Sequence, residues 1–226
     1  MNAHEDRWKS IYKLRQYETH YPFDEVVSFV FRYCPKDRPT DSIKVLDLGC
    51  GLGNNLRFLA GAGFAATGID ISEEAVSRCR QMLQSQGYQA EVFCCSCAEL
   101  PFVDSHFDMV VDRGTFTVLP DGTFEAAFAE VRRVLRPTGH FLFTPYSDAH
   151  SSNGLNDCLS EGLVLPITGG SLAVRDRGVR FMSLNEIRSL FRDGWMFKSV
   201  YLKQLTEMLE PTRLVDAWWN VVAEKV

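Results

Sequence analysis

The sequence predicts a doubly wound α/β fold, with a mostly parallel sheet of seven strands and helices on both faces. Short apolar runs rich in β-branched residues alternate with amphipathic stretches between residues 43 and 145, which is typical of βα units around a buried parallel sheet. The first apolar run ends in a turn with three glycines, where such folds place their ligand. At 226 residues the chain is long enough to bury one sizeable core.

The order of the elements supports this Rossmann-like interpretation. The segment 4–20 is polar with aromatic residues and predicts a helix, and the segment 21–35 predicts an amphipathic helix ended by Pro35. The elements that follow are, in chain order, strand 43–48, helix 53–61, strand 65–70, a helix after the N-cap Ser72, strand 89–95, strand 107–112, helix 121–135, a turn over 136–139 and strand 140–145.

The pattern changes after Pro145. Residues 146–180 are rich in Gly and Ser but keep apolar side chains, which indicates a lid-like insertion rather than a linker. Ser183 and Glu186 have the spacing of a capping box, and therefore predict a helix. The runs 195–204 and 214–225 predict an antiparallel hairpin at the sheet edge. We expect one domain over 1–226, with an N-terminal helical cap (1–40), a cofactor-binding core (41–145), the insertion (146–180) and a C-terminal sheet edge (181–226).

Composition excludes some classes of function. The chain has 24 Lys+Arg against 29 Asp+Glu, a net charge of −5, which disfavours nucleic acid as a partner because phosphate binding needs a basic face. No apolar run approaches the roughly 18 residues of a membrane span, and the N-terminus lacks the core of a signal peptide. We therefore expect a cytoplasmic protein that does not enter a membrane.

Seven cysteines raise the question of a metal site. Three of them lie in the run "CCSC", where Cys95 and Cys97 fall on one face of a strand. No CxxC pair with a nearby histidine completes a set of four ligands. We therefore expect no metal, and reduced thiols that pack in the core.

The glycine-rich turn is the most informative local feature. The stretch "VLDLGCGLGNN" (45–55) places Gly49, Gly51 and Gly53 directly after a strand, with Asp47 inside that strand. Glycine lets the backbone approach a ligand closely, although a turn required only for packing has the same pattern. Asn54 stands where the dinucleotide fingerprint needs a further glycine. Asp70 ends the second strand, where a carboxylate can accept both ribose hydroxyls.

Four segments in this order resemble the class I S-adenosylmethionine-dependent methyltransferases, most nearly those that act on small molecules. They are "VLDLGCGLGNN", "GIDIS", "CAELPFVDSHFDMVV" and "VLRPTGHFLF", and they span about residues 43–145. The resemblance implies S-adenosyl-L-methionine as the cofactor, with its methionyl part in the glycine turn and its ribose on Asp70. The cofactor-binding residues so indicated are Asp47, Gly49, Cys50, Gly51, Gly53, Asn54, Asp70, Ile71, Cys97, Ala98, Glu99 and Asp112.

One residue departs from the family pattern. Relatives often carry an aspartate before the alanine of this loop, where it accepts from the adenine amino group, and here that position is Cys97. By the same resemblance Ile71 would flank the adenine, and Ala98 and Glu99 would lie near its amino edge. Adenine recognition would then fall to backbone groups.

The acceptor side is predicted from two further segments. "DRGTFTVLP" (112–120) resembles a segment of thiopurine methyltransferases and implies that Arg113 contacts the acceptor. A local ion pair between Asp112 and Arg113 is the alternative. His150 follows the fifth strand and is the candidate general base, since its ordinary pKa is near neutral; an exposed loop histidine is the alternative there.

The sequence therefore predicts an enzyme that transfers a methyl group from S-adenosylmethionine to a small-molecule acceptor. Aromatic residues of the N-terminal segment (Trp8, Tyr12, Tyr17 and Tyr21) would line its lid or simply pack the helix. The alternatives are a protein lysine methyltransferase and a non-catalytic sensor that binds S-adenosylmethionine or S-adenosylhomocysteine. A nicotinamide-dependent dehydrogenase is disfavoured by Asn54 and by the "AELPF" loop.

Overall fold

The computed structural model describes residues 20–153, 178–209 and 213–226. The predicted helix 4–20, its aromatic residues Trp8, Tyr12 and Tyr17, and most of the insertion 146–180 lie outside this part. The helices described are α1 (Asp24–Tyr33), α2 (Asn54–Gly61), α3 (Glu73–Ser85), α4 (Asp121–Val134) and α5 (Leu184–Leu190). The strands are β1 (Lys44–Leu48), β2 (Ala65–Asp70), β3 (Glu91–Cys94), β4 (Phe107–Asp112), β5 (Leu135–Phe143), β6 (Tyr146–Ser147), β7 (Phe181–Met182), β8 (Trp195–Thr206) and β9 (Val215–Lys225).

The sheet has the predicted doubly wound order. Its strands run β3-β2-β1-β4-β5-β9, and β8 pairs with the other edge of β9. The first five of these strands are mutually parallel, while β9 is antiparallel to β5 and to β8. The strand order reverses at β1, which lies between β2 and β4. In such a sheet the ligand crevice opens at this reversal, beyond the carboxyl ends of the strands.

Helices cover both faces of the sheet, as the alternation of elements predicts. One core cluster contains α4 side chains such as Phe124 and Phe128, together with Ile187 of α5. The other contains Phe29 of α1, Leu56 of α2 and Val76 of α3. Each helix therefore buries one apolar stripe against the sheet, which fixes where its polar first turn stands at the sheet edge.

The C-terminal half agrees with the expected hairpin and capped helix. Strands β8 and β9 pair antiparallel along most of their length. Ser183 accepts from the N–H of Glu186, whose carboxylate accepts from the N–H of Ser183, so the capping box is present. Two strands of two residues each, β6 and β7, add to the seven expected, because the chain resumes pairing after Pro145.

The predicted turn over 136–139 lies inside the bounds of β5. Phe107 pairs with Leu135 and Met109 with His140, so β5 contains an irregular stretch at this point. Thr138 takes a positive φ of 62° there. The Pro-Thr-Gly sequence therefore gives an irregularity within the strand rather than a turn that precedes it. Across the described ranges, no helix combines the length and the apolar character that a membrane crossing requires.

Candidate functional site

Three acidic residues meet where the sheet order reverses. Asp47 stands one residue before the end of β1, Asp70 ends β2 and Asp112 ends β4. The register pairs Leu48 with Ile69 on one side and with Asp112 on the other. The fold therefore brings together three of the residues that the sequence predicts for the cofactor.

The glycine turn is fixed to β2 by backbone and side-chain hydrogen bonds. The N–H of Cys50 donates to the carbonyl of Ile69 at 2.8 Å, and the N–H of Gly51 donates to Asp70 Oδ2 at 3.0 Å. Gly49, Gly51 and Gly53 have φ values of 62°, 55° and 85°. All three lie in the left-handed region that favours glycine. The turn consequently holds a shape that few other sequences could adopt.

Contacts within the protein account for part of this glycine requirement. A Cβ atom on Gly49 would clash with Oγ1 of Thr115, and one on Gly53 would clash with Sγ of Cys79. Packing therefore requires glycine at these two positions, and their role in cofactor binding stays a prediction. Gly51 differs in that its N–H is used to bind Asp70, which ties the turn to the residue predicted to hold the ribose.

Asp47 is a buried carboxylate with one oxygen, Oδ2, that lacks a hydrogen-bond partner. Its side chain is 1% exposed and its Oδ2 has no hydrogen bond among the described residues. Burial raises its pKa to about 8; a side-chain hydrogen bond with Asn55 opposes this rise, and the charges of Asp112 and Asp70 add to it. An ionised Asp47 therefore requires a cation, and an ammonium group is a suitable one.

Asp70 and Asp112 are also buried, but backbone amides hold them. Asp70 Oδ1 accepts from the N–H of Ser72 at 2.9 Å, in addition to the bond from Gly51 to Oδ2. Asp112 Oδ1 accepts from the N–H groups of Thr115 and Phe116, at 2.9 and 3.2 Å. Burial raises the pKa of Asp112 to about 6, and these two bonds limit the rise. Its Oδ2 has no described partner.

The loop after β3 lies beside Asp70, because Asp70 pairs with Cys94 across β2 and β3. Cys97 is buried, and its burial raises the pKa of the thiol to about 12, so the thiol stays neutral. Ala98 donates its N–H to Oγ of Ser96 at 3.2 Å. Ile71 and Ala98 are half-buried and Glu99 is exposed. These positions are consistent with an adenine edge, although their roles stay predictions.

Arg113 leaves β4 toward α1. Its guanidinium lies 4.0 Å above the ring of Phe23, and its Nε is 3.7 Å from Oε2 of Glu25. Both of these atoms are buried without a hydrogen bond. Within the described ranges the ion pair of Arg113 is with Glu25, so the alternative of a local pair with Asp112 is not formed. Contact between Arg113 and an acceptor stays a prediction.

A short segment before α1 lies across the start of α2. Phe23 donates its N–H to Oδ1 of Asn55 at 3.2 Å, and Asn54 donates from Nδ2 to the carbonyl of Tyr21 at 2.9 Å. Arg57 donates to the carbonyl of His20. We call residues 20–23 the strap. The strap lies over the first turn of α2, the helix that follows the glycine turn.

Sequence reasoning missed Glu25, Asn55 and Thr115. Glu25 is 2% exposed, and it accepts from Lys203 Nζ at 2.6 Å and from Trp218 Nε1 at 3.0 Å. An acid four residues before Phe29, on the apolar face of a predicted helix, was the available signal. Asn55 and Thr115 stood inside quoted motifs, but their partners are distant in sequence.

His150 is buried, and both of its ring nitrogens have partners. Its Nδ1 accepts from the N–H of Ser152 at 3.0 Å, and its Nε2 is 3.2 Å from Oδ1 of Asp216. Burial lowers its pKa, while Asp216 opposes the change. The rings of Tyr146 and Phe181 pack against it. This differs from the exposed loop histidine considered as the alternative, and its role as a base stays a prediction.

Comparisons with known proteins agree with this geometry. Residues 45–139 match the family model for a methyltransferase domain. The sarcosine/dimethylglycine N-methyltransferase of Halorhodospira halochloris is 36% identical over 126 residues, which are 54% of this chain and 42% of that protein. The chain spans less than half the length of the first curated relatives that it matches.

Two solved structures share the fold over most of the chain. A SAM-dependent methyltransferase from Methanosarcina mazei superposes with a TM-score of 0.73 at 22% identity, covering 91% of this chain and 99% of that one. The 1,6-didemethyltoxoflavin-N1-methyltransferase of Burkholderia thailandensis, with S-adenosylhomocysteine bound, gives a TM-score of 0.66 at 18% identity and covers 98% and 84%. At these identities the likeness is one of fold.

The residues present fit S-adenosylmethionine as the cofactor. The partnerless Oδ2 of Asp47 suits the ammonium group of the methionyl part, and Asp70 stands at the end of β2 beside the turn. The family match, the shared fold and this fit lead to one conclusion: residues 45–139 are a methyltransferase domain with the class I S-adenosylmethionine-dependent fold.

Proposed function

We propose that this chain transfers the methyl group of S-adenosylmethionine to a small-molecule acceptor in the cytoplasm. The observation that carries the proposal is the buried Asp47 carboxylate at the glycine turn, whose Oδ2 lacks a partner. A buried acid without a cation costs stability, so its presence is explained best by a ligand that supplies one. Composition disfavours nucleic acid and membrane partners.

The strap supports a small acceptor over a protein chain. Residues 20–23 are hydrogen-bonded across the start of α2, and Phe23 packs under Arg113 at the end of β4. A site covered in this way admits a compact molecule more readily than an extended peptide. The names of the Halorhodospira and Burkholderia proteins, which refer to small-molecule acceptors, point the same way.

Methyl transfer requires that the acceptor be positioned against the methyl group and that water be excluded from the site. When bound, S-adenosylmethionine supplies a methyl group already activated by its sulfonium, so the chain has little covalent work to do. We assign Asp47 to the ammonium group, Asp70 to the ribose hydroxyls and Arg113 to the acceptor. His150 would take a proton from an acceptor that begins protonated, provided that its Nδ1 releases the N–H of Ser152.

An untargeted transfer assay tests the proposal. The purified chain is incubated with methyl-labelled S-adenosylmethionine and a cell extract separated into small-molecule and protein fractions, with Asp47→Asn as the inactive control. We expect label in the small-molecule fraction that depends on Asp47. Label in protein lysine would replace this function with that of a lysine methyltransferase. Tight cofactor binding with no label in either fraction would indicate a sensor.

A further inference from the structure

A continuous set of contacts joins the cofactor side of the site to Arg113. Asn55, 4% exposed, has a side-chain amide that lowers the pKa of the neighbouring Asp47, and it accepts the N–H of Phe23 on its Oδ1 at 3.2 Å. The ring of the same Phe23 lies 4.0 Å beneath the guanidinium of Arg113. Asn55 thus adjoins Asp47 on the cofactor side and Phe23 on the acceptor side. Phe23 in turn contacts Asn55 and Arg113.

The charge of Asp47 decides how Asn55 can be oriented. A protonated Asp47 can either donate or accept, and so can bond to either end of the Asn55 amide. An ionised Asp47 only accepts, and must face the NH₂ end of the amide. The carbonyl Oδ1 is then left pointing at the N–H of Phe23, as the structure has it. A bound ammonium group, which favours the ionised carboxylate, therefore favours the docked strap.

Further contacts hold the strap and α1 without involving Asp47. Asn54 and Arg57 bind the carbonyls of Tyr21 and His20, and Glu25 is bound by Lys203 and Trp218. These interactions keep the strap near α2 in either charge state. Because the bond from Arg57 to the carbonyl of His20 involves neither Asp47 nor Arg113, it provides a control for general loosening of the strap.

We propose that Asn55 and Phe23 are positioning residues that couple occupancy of the cofactor site to the placement of Arg113. The acceptor side of the site is then completed after the cofactor binds, which makes binding ordered. The inference rests on the proposed function only for the meaning of Arg113 as an acceptor contact. The coupling itself is a property of the contacts between Asp47, Asn55, Phe23 and Arg113.

Hydrogen exchange of the full chain tests the coupling, with S-adenosylhomocysteine at saturating concentration as the probe. In the wild type we expect exchange to slow by about threefold or more at the glycine turn, at residues 21–27 and at residues 113–118. In Asn55→Leu, which keeps the side-chain volume, slowing should persist at the turn and vanish at 21–27. Arg57→Ala is the matched control: it loosens the strap, but should keep the response.

A second variant separates the two links. Phe23→Leu keeps the backbone N–H and removes the ring, so residues 21–27 should still respond while residues 113–118 should not. It also keeps the proposal testable if Asn55→Leu fails to fold. The coupling, but not the cofactor site, would be overturned if exchange in the wild type slowed only at the glycine turn. The same holds if either variant kept the wild-type pattern of slowing. No response anywhere would overturn the cofactor site as well, whereas absence of methyl transfer would leave the coupling intact.

Discussion

Oγ1 of Thr115 occupies the space where a Cβ atom of residue 49 would stand, so Gly49 and Thr115 can pack together only because residue 49 is glycine. The same hydroxyl donates to the carbonyl of Leu48 at 2.8 Å. The loop after β4 is thereby held against the glycine turn. Gly49 and Thr115, which are 66 residues apart in sequence, therefore lie together at one edge of the site.

Gly49→Ala should lower the free energy of unfolding by more than the cost of placing alanine at a positive φ. Alanine at a positive φ costs about 1–2 kcal/mol, and the clash with Thr115 should add about 1–3 kcal/mol of overpacking. Gly87→Ala is the control, since Gly87 has a φ of 72° and nothing within 4 Å of its would-be Cβ. Denaturant unfolding measures both variants. Equal losses would contradict the close packing of Gly49 on Thr115.

Asp47 should make the ligand-free chain less stable as pH rises. Its pKa in the fold is about 8 against 3.8 in the unfolded chain. Between these values the unfolded chain has released a proton that the folded chain retains, so the free energy of unfolding falls as pH increases. Asp47→Asn removes this fall, and should melt at least about 5 °C above the wild type at pH 8 but close to it at pH 4.

Melting curves at pH 4, 6 and 8 measure this effect. Asp112, with a pKa of about 6, adds a smaller fall in the same direction that the variant retains. Asp193→Asn offers the matched control, because it makes the same chemical change at an exposed position away from the glycine turn. A wild-type stability that stays level between pH 4 and pH 8 would show that Asp47 is ionised without a ligand.

Asp70→Asn should weaken cofactor binding by at least about tenfold without unfolding the chain. Both carboxylate oxygens of Asp70 accept backbone N–H groups, from Gly51 and from Ser72. Asparagine has one oxygen, so one of these donors loses its acceptor and the glycine turn loosens. Calorimetric titration with S-adenosylmethionine measures the change. Unchanged affinity would remove Asp70 from the site.

Arg113→Lys should leave cofactor affinity nearly intact and reduce methyl transfer to the acceptor found in the extract assay. Lysine lacks the planar group that stacks on Phe23 and the fork that could bind an acceptor. The test combines rate measurements with thermal melts, with and without cofactor. If melting temperature and cofactor affinity fall together while the rate per folded molecule is kept, Arg113 only braces the loop.

Burial of neutral His150 should stabilise the chain only above mildly acidic pH. Its pKa is lower in the fold than the ordinary 6.5, because burial disfavours the charged ring. As pH falls below about 6.5 the unfolded chain takes up a proton that the fold does not, and stability is lost. The gap in melting temperature between wild type and His150→Asn should therefore be smaller at pH 5 than at pH 7.5.

The same variant tests His150 as a base. A base would lower turnover more than acceptor affinity when it is removed, whereas a purely structural histidine would lower the melting temperature and leave turnover per folded molecule unchanged. Asp216→Asn, which keeps a hydrogen-bonding partner for Nε2 but removes the charge, separates the two roles further.

The sequence was sufficient to predict the sheet and the edge of the sheet at which three acidic residues meet. Apolar runs such as 43–48 and caps such as Ser72 and Ser183 are local signals, and each element they predict is present. Once strand order is known, Asp47, Asp70 and Asp112 must meet, because the carboxyl ends of neighbouring parallel strands share one edge.

The contacts that shape the acceptor side could not be predicted in this way. Arg113 stacks on Phe23 and approaches Glu25, 88 residues earlier in the sequence, rather than pairing with Asp112. Its contact with an acceptor stays a prediction. His150 was expected in a loop, and its Nε2 approaches Asp216, 66 residues later. Such pairs depend on how helices and hairpins dock, which no local periodicity encodes.

The most direct test of the cofactor site is a calorimetric titration of S-adenosylhomocysteine into the wild type and into Asp47→Asn at pH 8. If Asp47 binds the ammonium group, the wild type should bind one molecule per chain. The variant should bind at least about thirtyfold more weakly, as expected for the loss of a charge-assisted contact worth about 2–3 kcal/mol. Equal affinities for the two proteins would contradict the assignment of Asp47 and, with it, the site at the glycine turn.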